Sequence, residues 1–188
     1  MGSNAVKKTE STFLYVLRLS VILFAIAGVV ALALAGVNKL TAPRIAQLQE
    51  EKTQEAIELV LPGGGEEKTD FPATPLVSKV YAGDAGYAVE VTPGGFDNTI
   101  TMMVGVDTEG KVLGISIIKH TETAGLGAVA AAGTPAGENF RGQFVGASGS
   151  VSVTKDGGTM DAITGATITS RAICVGVNAA LECVANMG

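Results

Sequence analysis

Hydrophobic and polar positions change their spacing three times along this chain of 188 residues. Between Arg18 and Lys39 lie 20 residues without a charge, LSVILFAIAGVVALALAGVN. As an α-helix this run reaches about 30 Å, the thickness of a bilayer's hydrocarbon core, and it reads as a transmembrane helix. The apolar pattern extends back through Phe13, Leu14, Tyr15, Val16 and Leu17, so that Arg18 can snorkel to the headgroups and Tyr15 sits in the interfacial zone. A cleaved signal peptide is the competing reading, because Lys7 and Lys8 precede the run and Ala33, Leu34 and Ala35 resemble a cleavage site. The run is longer than the roughly 7 to 15 apolar residues typical of a signal peptide. Lys7, Lys8 and Arg18 on one side are matched by Lys39, Arg44 and Lys52 on the other, so charge does not orient the helix.

Residues 41–60, TAPRIAQLQEEKTQEAIELV, then read as a separate polar helix with Pro43 in its first turn and Ile45, Leu48, Ala56 and Leu59 toward one side. That helix would lift the remaining residues off the membrane. Residues 61–75 hold three of the six prolines and the run Gly63, Gly64, Gly65, which marks a loop. From residue 76 the spacing shortens to that of strands: 76–82 (LVSKVYA), 86–92 (GYAVEVT), 98–107 (NTITMMVGVD) and 111–120 (KVLGISIIKH). Thr108, Glu109 and Gly110 join the last two as a hairpin turn, with glycine where φ is positive. Helical spacing returns at 138–144 and at 170–186, where Ile173, Val177, Leu181 and Val184 share one face. The expected fold is α+β: a tail and single N-terminal transmembrane helix in 1–40, then a domain in 41–188 with three or four antiparallel strands and packed helices.

Composition adds limits. Hydrophobic residues make up 47% and charged residues 16%, a balance that the anchor explains. Setting aside residues 1–40, with Lys7, Lys8, Arg18 and Lys39 against Glu10, leaves 9 basic and 17 acidic residues, a net charge of −8. Such a domain repels nucleic acid and is a poor peripheral lipid binder, so the helix must do the anchoring. Cys174 and Cys183 are nine apart on one helix, on opposite faces, and cannot bridge each other. With no CxxC, no cysteine cluster and a single histidine, His120, the sequence offers no metal site and little for a hydrolase. There is no GxGxxG after a strand and no GxxxxGK[ST] for a mobile nucleotide.

Two stretches remain. The first, 161–172 (DAITGATITSRA), sets an acid, small residues and hydroxyls before the last helix. It is either a helix start, where Ser and Thr cap free N–H groups, or a place where a hydroxyl is used chemically with an anion held at the helix N-terminus. The second, 120–127 (HTETAGLG), places Gly125 and Gly127 where backbone can approach a flat or phosphorylated ligand closely.

Together they carry a resemblance. DAITGAT, Asp161 to Thr167, resembles the D-x-x-[ST]-G-A-[ST] flavinylation motif of the FMN-binding domain found in the G subunit of the Rnf ferredoxin:NAD electron-transport complex and in the C subunit of the sodium-pumping NADH:quinone oxidoreductase. HTETAGLG is similar to that family's H-x-E-T-P-G-L-G segment, with Ala124 where the family has proline. The chain length resembles that of the Rnf protein. The resemblance implies an electron-carrier subunit of the Rnf complex with FMN joined covalently to Thr167 through a phosphoester, installed by a flavin transferase that uses FAD. It also implies Asp161 as the transferase's recognition residue. Thr164, Gly165, Ala166, Thr169 and Ser170 would shape the attachment loop, cap the helix and bind the phosphate, while Glu122, Thr123, Leu126 and Gly127 would lie against the flavin ring. The domain is expected on the periplasmic or extracellular side of the cytoplasmic membrane, beside the other membrane and peripheral subunits. The alternatives are the sodium-pump protein, a stand-alone membrane-anchored flavin reductase, and a structural subunit whose TGAT is only a helix cap.

Overall fold

The computed structural model describes residues 3–187, and the chain forms two compact units, Met1–Gln49 and Glu50–Gly188. Among the described residues the first unit is helix alone. It belongs to α1 (Ser3–Val60), which continues through Pro43 without interruption, so the separate helix expected from residue 41 is the extension of the anchor. Proline forfeits one i→i−4 bond, which a helix of 58 residues outlasts. From Phe13 to Leu40 its large apolar side chains are exposed on every side, Phe24 at 81% and Leu40 at 80%. A surface that is apolar all round suits hydrocarbon and not water. The helix α3 (Thr167–Ala185) is also long and apolar enough to span a bilayer, but two thirds of it is buried inside the second unit, where it is a core helix.

The second unit is built on a five-stranded antiparallel meander in the order β1-β2-β3-β4-β5: β1 (Glu66–Lys68), β2 (Val77–Gly83), β3 (Gly86–Val91), β4 (Thr101–Asp107) and β5 (Val112–Lys119). Four of these match the expected strands. The fifth, β1, falls in the segment expected to be loop, because Glu66, Glu67 and Lys68 are drawn into register opposite Ala82, Tyr81 and Val80 by the free edge of β2 and not by strand propensity of their own. The β4–β5 turn has Gly110 at φ +76°, and Asp107 Oδ1 accepts from the N–H groups of Glu109 and Lys111, both at 2.8 Å.

Both sheet faces are covered. Val80, Val89, Val91, Met102, Val104 and Val106 face the main core, closed by α3 and by α2 (Pro135–Gly142) with Phe140 and Phe144 stacked edge to face at 5.5 Å. Ile173, Val177, Leu181 and Val184 on α3 are all buried, as their spacing indicates. Cys174 and Cys183 are unpaired and both buried, because α3 is enclosed on most of its circumference. On the other face Ala88, Gly105 and Gly114 lie side by side across β3, β4 and β5. This row of small residues admits the last turn of α1 so closely that a Cβ on Gly105 would overlap the Val60 carbonyl. The buried face of that turn is Ala56, Ile57 and Val60 with Leu61 after it, whereas Leu59, grouped by its spacing on one side with Ala56, is 70% exposed. The side that is buried is set by the final turn, so periodicity taken over the whole helix points elsewhere.

Candidate functional site

The start of α3 is made without a capping side chain: Ala166 occupies the N-cap position at φ −128°, ψ 44°. A tight loop replaces the cap. Gly165 adopts φ +77°, the Ala166 N–H donates to Ile163 O at 2.9 Å, and Ser170 Oγ accepts from the Ile163 N–H and donates to Ala166 O, each at 3.0 Å. Ser170, fully buried, therefore staples the loop to the helix and does not line a ligand space. The helix begins at Thr167, three residues before the expected start at Ser170. Its first N–H groups have no carbonyl in their own helix to meet them. Thr167, half-buried at this position, accepts a hydrogen bond on Oγ1 from Lys155 Nζ at 3.1 Å.

Lys155 sits on a 3₁₀ turn, Thr154–Asp156, that closes on Gly157 at φ +86°. The turn is clamped to α3 by Arg171, whose Nε and Nη2 donate to the two Asp156 oxygens at 2.7 and 2.6 Å. The hydrogen bond from Arg171 holds the Asp156 carboxyl below the usual carboxylate range, against an opposing effect of burial; the charges of Arg171 and Lys155 act in the same direction as the bond.

Glu122 is the second organising residue. Only 8% exposed, it uses both oxygens: Oε1 accepts from the Phe96 N–H at 2.9 Å, and Oε2 accepts from the hydroxyl of Thr169, itself 1% exposed. One carboxylate thus braces the β3–β4 loop, the β5–α2 segment and α3. Gly127 passes so close to this brace that a Cβ there would overlap the Glu122 carboxylate. The 3₁₀ turn beginning at Gly127 is tied down in turn by Arg141, whose Nη1 donates to Ala130 O at 2.6 Å and Ala132 O at 3.0 Å.

These elements enclose a cavity of about 290 Å³. Of the residues singled out in the sequence, Glu122, Thr123, Leu126, Gly127, Gly165, Ala166, Thr167 and Thr169 line it, so two stretches separated by more than thirty residues meet at one place. Phe96, Lys155 and Ile168 line it as well and carried no signal in the sequence. Asp161 and Thr164 do not: they line a second cavity of about 380 Å³ across the loop before α3, with Gly125, Asn139 and Gln143. There Gln143 Oε1 accepts from the Asp161 N–H at 2.7 Å and its Nε2 donates to Asp161 O at 3.3 Å, which fixes the backbone and leaves the residue exposed. His120 lies outside both cavities, half-buried, with Nδ1 buried and unpartnered. Ala124 is exposed.

The residues present fit FMN. Phe96, Leu126 and Ile168 are 66%, 42% and 50% exposed, an apolar rim suited to one face of a flat ring, and the volume lies at the small end for ligand pockets, about 300 Å³ and upward. At the end formed by α3, a hydroxyl, a cation and free N–H groups converge, which is the chemistry of a phosphate site.

Residues 95–182 match the family described as FMN-binding domain, and residues 15–60 match the RnfG N-terminal region. The chain is 31% identical to the G subunit of the Na(+)-translocating ferredoxin:NAD(+) oxidoreductase complex of Acetobacterium woodii, with 96% of this chain and 97% of the relative covered. It is 32% identical to the G subunit of the proton-translocating ferredoxin:NAD(+) oxidoreductase complex of Clostridium ljungdahlii over 94% and 93% of the two chains. A third relative, the G subunit of the ion-translocating oxidoreductase complex of Pseudomonas aeruginosa, is 32% identical over 85% and 83%.

Proposed function

The chain belongs to the family of Rnf complex G subunits, and from that membership we propose that it is the membrane-anchored electron-carrier subunit of an ion-translocating ferredoxin:NAD oxidoreductase complex, with its FMN joined to Thr167 by a phosphoester. The observation that carries the attachment is the placement of Thr167: its hydroxyl lines the cavity, opens a helix and is met by Lys155. FMN supplies the electron chemistry when bound, and the chain supplies position, partial exclusion of water and electrostatics. Phe96, Leu126 and Ile168 offer apolar cover. Glu122 holds Phe96 and Thr169 in place, and Gly165 keeps the attachment loop slim. Asp161, exposed across that loop, is free to meet a flavin transferase.

The domain 41–188 works on the outer side of the cytoplasmic membrane in this reading, among the other membrane and peripheral subunits, and protease added to intact spheroplasts should digest it. The test of function is the assembled complex. Membranes carrying Thr167→Ala should keep the other subunits associated but lose ferredoxin-dependent NAD reduction, while Thr167→Ser, which retains a hydroxyl, should keep part of it. Full activity in Thr167→Ala membranes would rule out an essential flavin at this position.

A further inference from the structure

In a domain with an excess of acids, the lysines and arginines have carboxylates to choose from. Lys79, Lys111 and Arg171 pair with Glu67, Glu109 and Asp156, while Arg141 takes the backbone carbonyls of Ala130 and Ala132. Lys155, between Thr154 and Asp156 on the same short turn as one of those acids, instead sets its ammonium on the neutral hydroxyl of Thr167. This placement is imposed from both ends of the turn. Val153 and Met160, both buried, pair as a parallel bridge beneath it, and the Asp156 N–H closes on Val153 O at 2.9 Å. Above it, Arg171 lies four residues after Thr167 on the same face of α3 and takes both Asp156 oxygens. Because Arg171 occupies Asp156, the neighbouring cation is left for Thr167.

We propose that Lys155 is the cationic partner of the flavin phosphate, and that the Asp156–Arg171 pair is the device that sets it over Thr167. This rests on Thr167 being the attachment position. Loading joins Thr167 Oγ1 to the FMN phosphorus of flavin adenine dinucleotide, breaks that phosphorus's bond to the bridging pyrophosphate oxygen and releases AMP. The hydroxyl proton passes to a base of the transferase. Lys155 takes no proton; its ammonium stabilises negative charge on Oγ1 as the proton leaves and then faces the single charge of the phosphodiester, a charge-assisted contact stronger than the hydroxyl contact it replaces. Lys155 and Asp156 are exposed, so substitution there leaves the core intact.

The experiment follows flavin incorporation into the full-length chain in detergent, with purified flavin transferase and FAD, by intact mass against time. It compares wild type with Lys155→Gln, Lys155→Arg, Asp156→Asn, Thr167→Ala and, as a control for net charge, Lys111→Gln on the β4–β5 hairpin. Lys155→Gln should slow loading by about tenfold or more, Lys155→Arg should recover most of the rate, Asp156→Asn should fall between, and Lys111→Gln should match wild type. In the loaded proteins the phosphorus-31 resonance should move in Lys155→Gln and stay in Lys111→Gln, which a merely structural role for Lys155 would not produce. Wild-type loading rate together with an unmoved phosphorus resonance in Lys155→Gln overturns the proposal while leaving Thr167 in place. Flavin uptake by Thr167→Ala removes the attachment position itself, and the role of Lys155 with it.

Discussion

Removing the Glu122 carboxylate should loosen the fold and the site together, by amounts the hydrogen bonds allow one to work out. Glu122→Ala strips the acceptor from the Phe96 N–H and from the Thr169 hydroxyl, the latter 1% exposed. Hydrogen bonds to a charged group contribute about 1.5 to 3 kcal/mol each, so the expected cost of losing two is about 3 to 6 kcal/mol. Glu122→Gln is milder. Its amide oxygen can still serve Phe96, whose N–H cannot turn, while its NH₂ faces Thr169 and obliges that hydroxyl to accept where it had donated; the expected cost is about 1 to 2 kcal/mol. At about 4 °C per kcal/mol for a unit of this size, the midpoints should fall by about 4 to 8 °C and about 12 to 24 °C for the Gln and Ala variants. The assay is thermal unfolding of the flavin-free full chain in detergent, followed by near-ultraviolet circular dichroism. Thr169→Val in the Glu122→Ala background should recover about 1 kcal/mol, because it deletes the stranded hydroxyl. Equal midpoints for Glu122→Ala and Glu122→Gln, or no recovery in the double variant, would refute the brace.

Three further outcomes rest on the same geometry. Leu126→Ala should leave flavin attachment intact but expose the ring to water, seen as a changed flavin absorption envelope, and an unaltered spectrum would remove Leu126 from the ring contact. Cys174, pushed up to about 11 by burial and then by the nearby Asp156 charge, should alkylate with iodoacetamide at pH 8 about a hundredfold more slowly than a thiol of ordinary pKa on protonation alone; rapid labelling without unfolding would contradict its burial. Asp156, held below its ordinary value by Arg171, contributes stability that is present above the unfolded carboxyl's pKa and is lost as pH falls through the lower folded one. Asp156→Asn should therefore be less stable than wild type at pH 6, with the difference narrowing as pH falls below about 4, and a difference as large in strong acid as at pH 6 would mean that the ion pair is not its source.

What could be read from the sequence was what local pattern controls. The 3.6-residue spacing of Ile173, Val177, Leu181 and Val184 found the core helix, and the Thr108-Glu109-Gly110 turn found the β4–β5 hairpin, because both depend on neighbours in the chain. DAITGAT and HTETAGLG converge on one cavity through a contact that neither motif shows by itself: Glu122 of the second reaches across to Thr169, two residues past the first. The misses are all tertiary. The strand β1 has no propensity of its own and exists because β2 offers an edge. The buried side of α1's last turn is chosen by the small-residue row Ala88, Gly105 and Gly114 and not by the helix. The start of α3 falls at Thr167 because Ser170 binds backwards to the loop instead of capping. Lys155 shows no periodicity and lies twelve residues from its partner; only the clamp of Asp156 on Arg171 reveals what it faces.

Tandem mass spectrometry of the tryptic peptide 156–171 from chain matured with its transferase tests the central claim most directly. This one peptide holds Thr159, Thr164, Thr167, Thr169 and Ser170, so the fragment ladder distinguishes each of these hydroxyls. The account predicts a mass increment of one FMN less one water, carried by the fragments that include Thr167 and by no fragment that ends before it. The same increment on Thr164 or Thr169, or an unmodified peptide from protein that is yellow before denaturation and colourless after it, would contradict the phosphoester at Thr167.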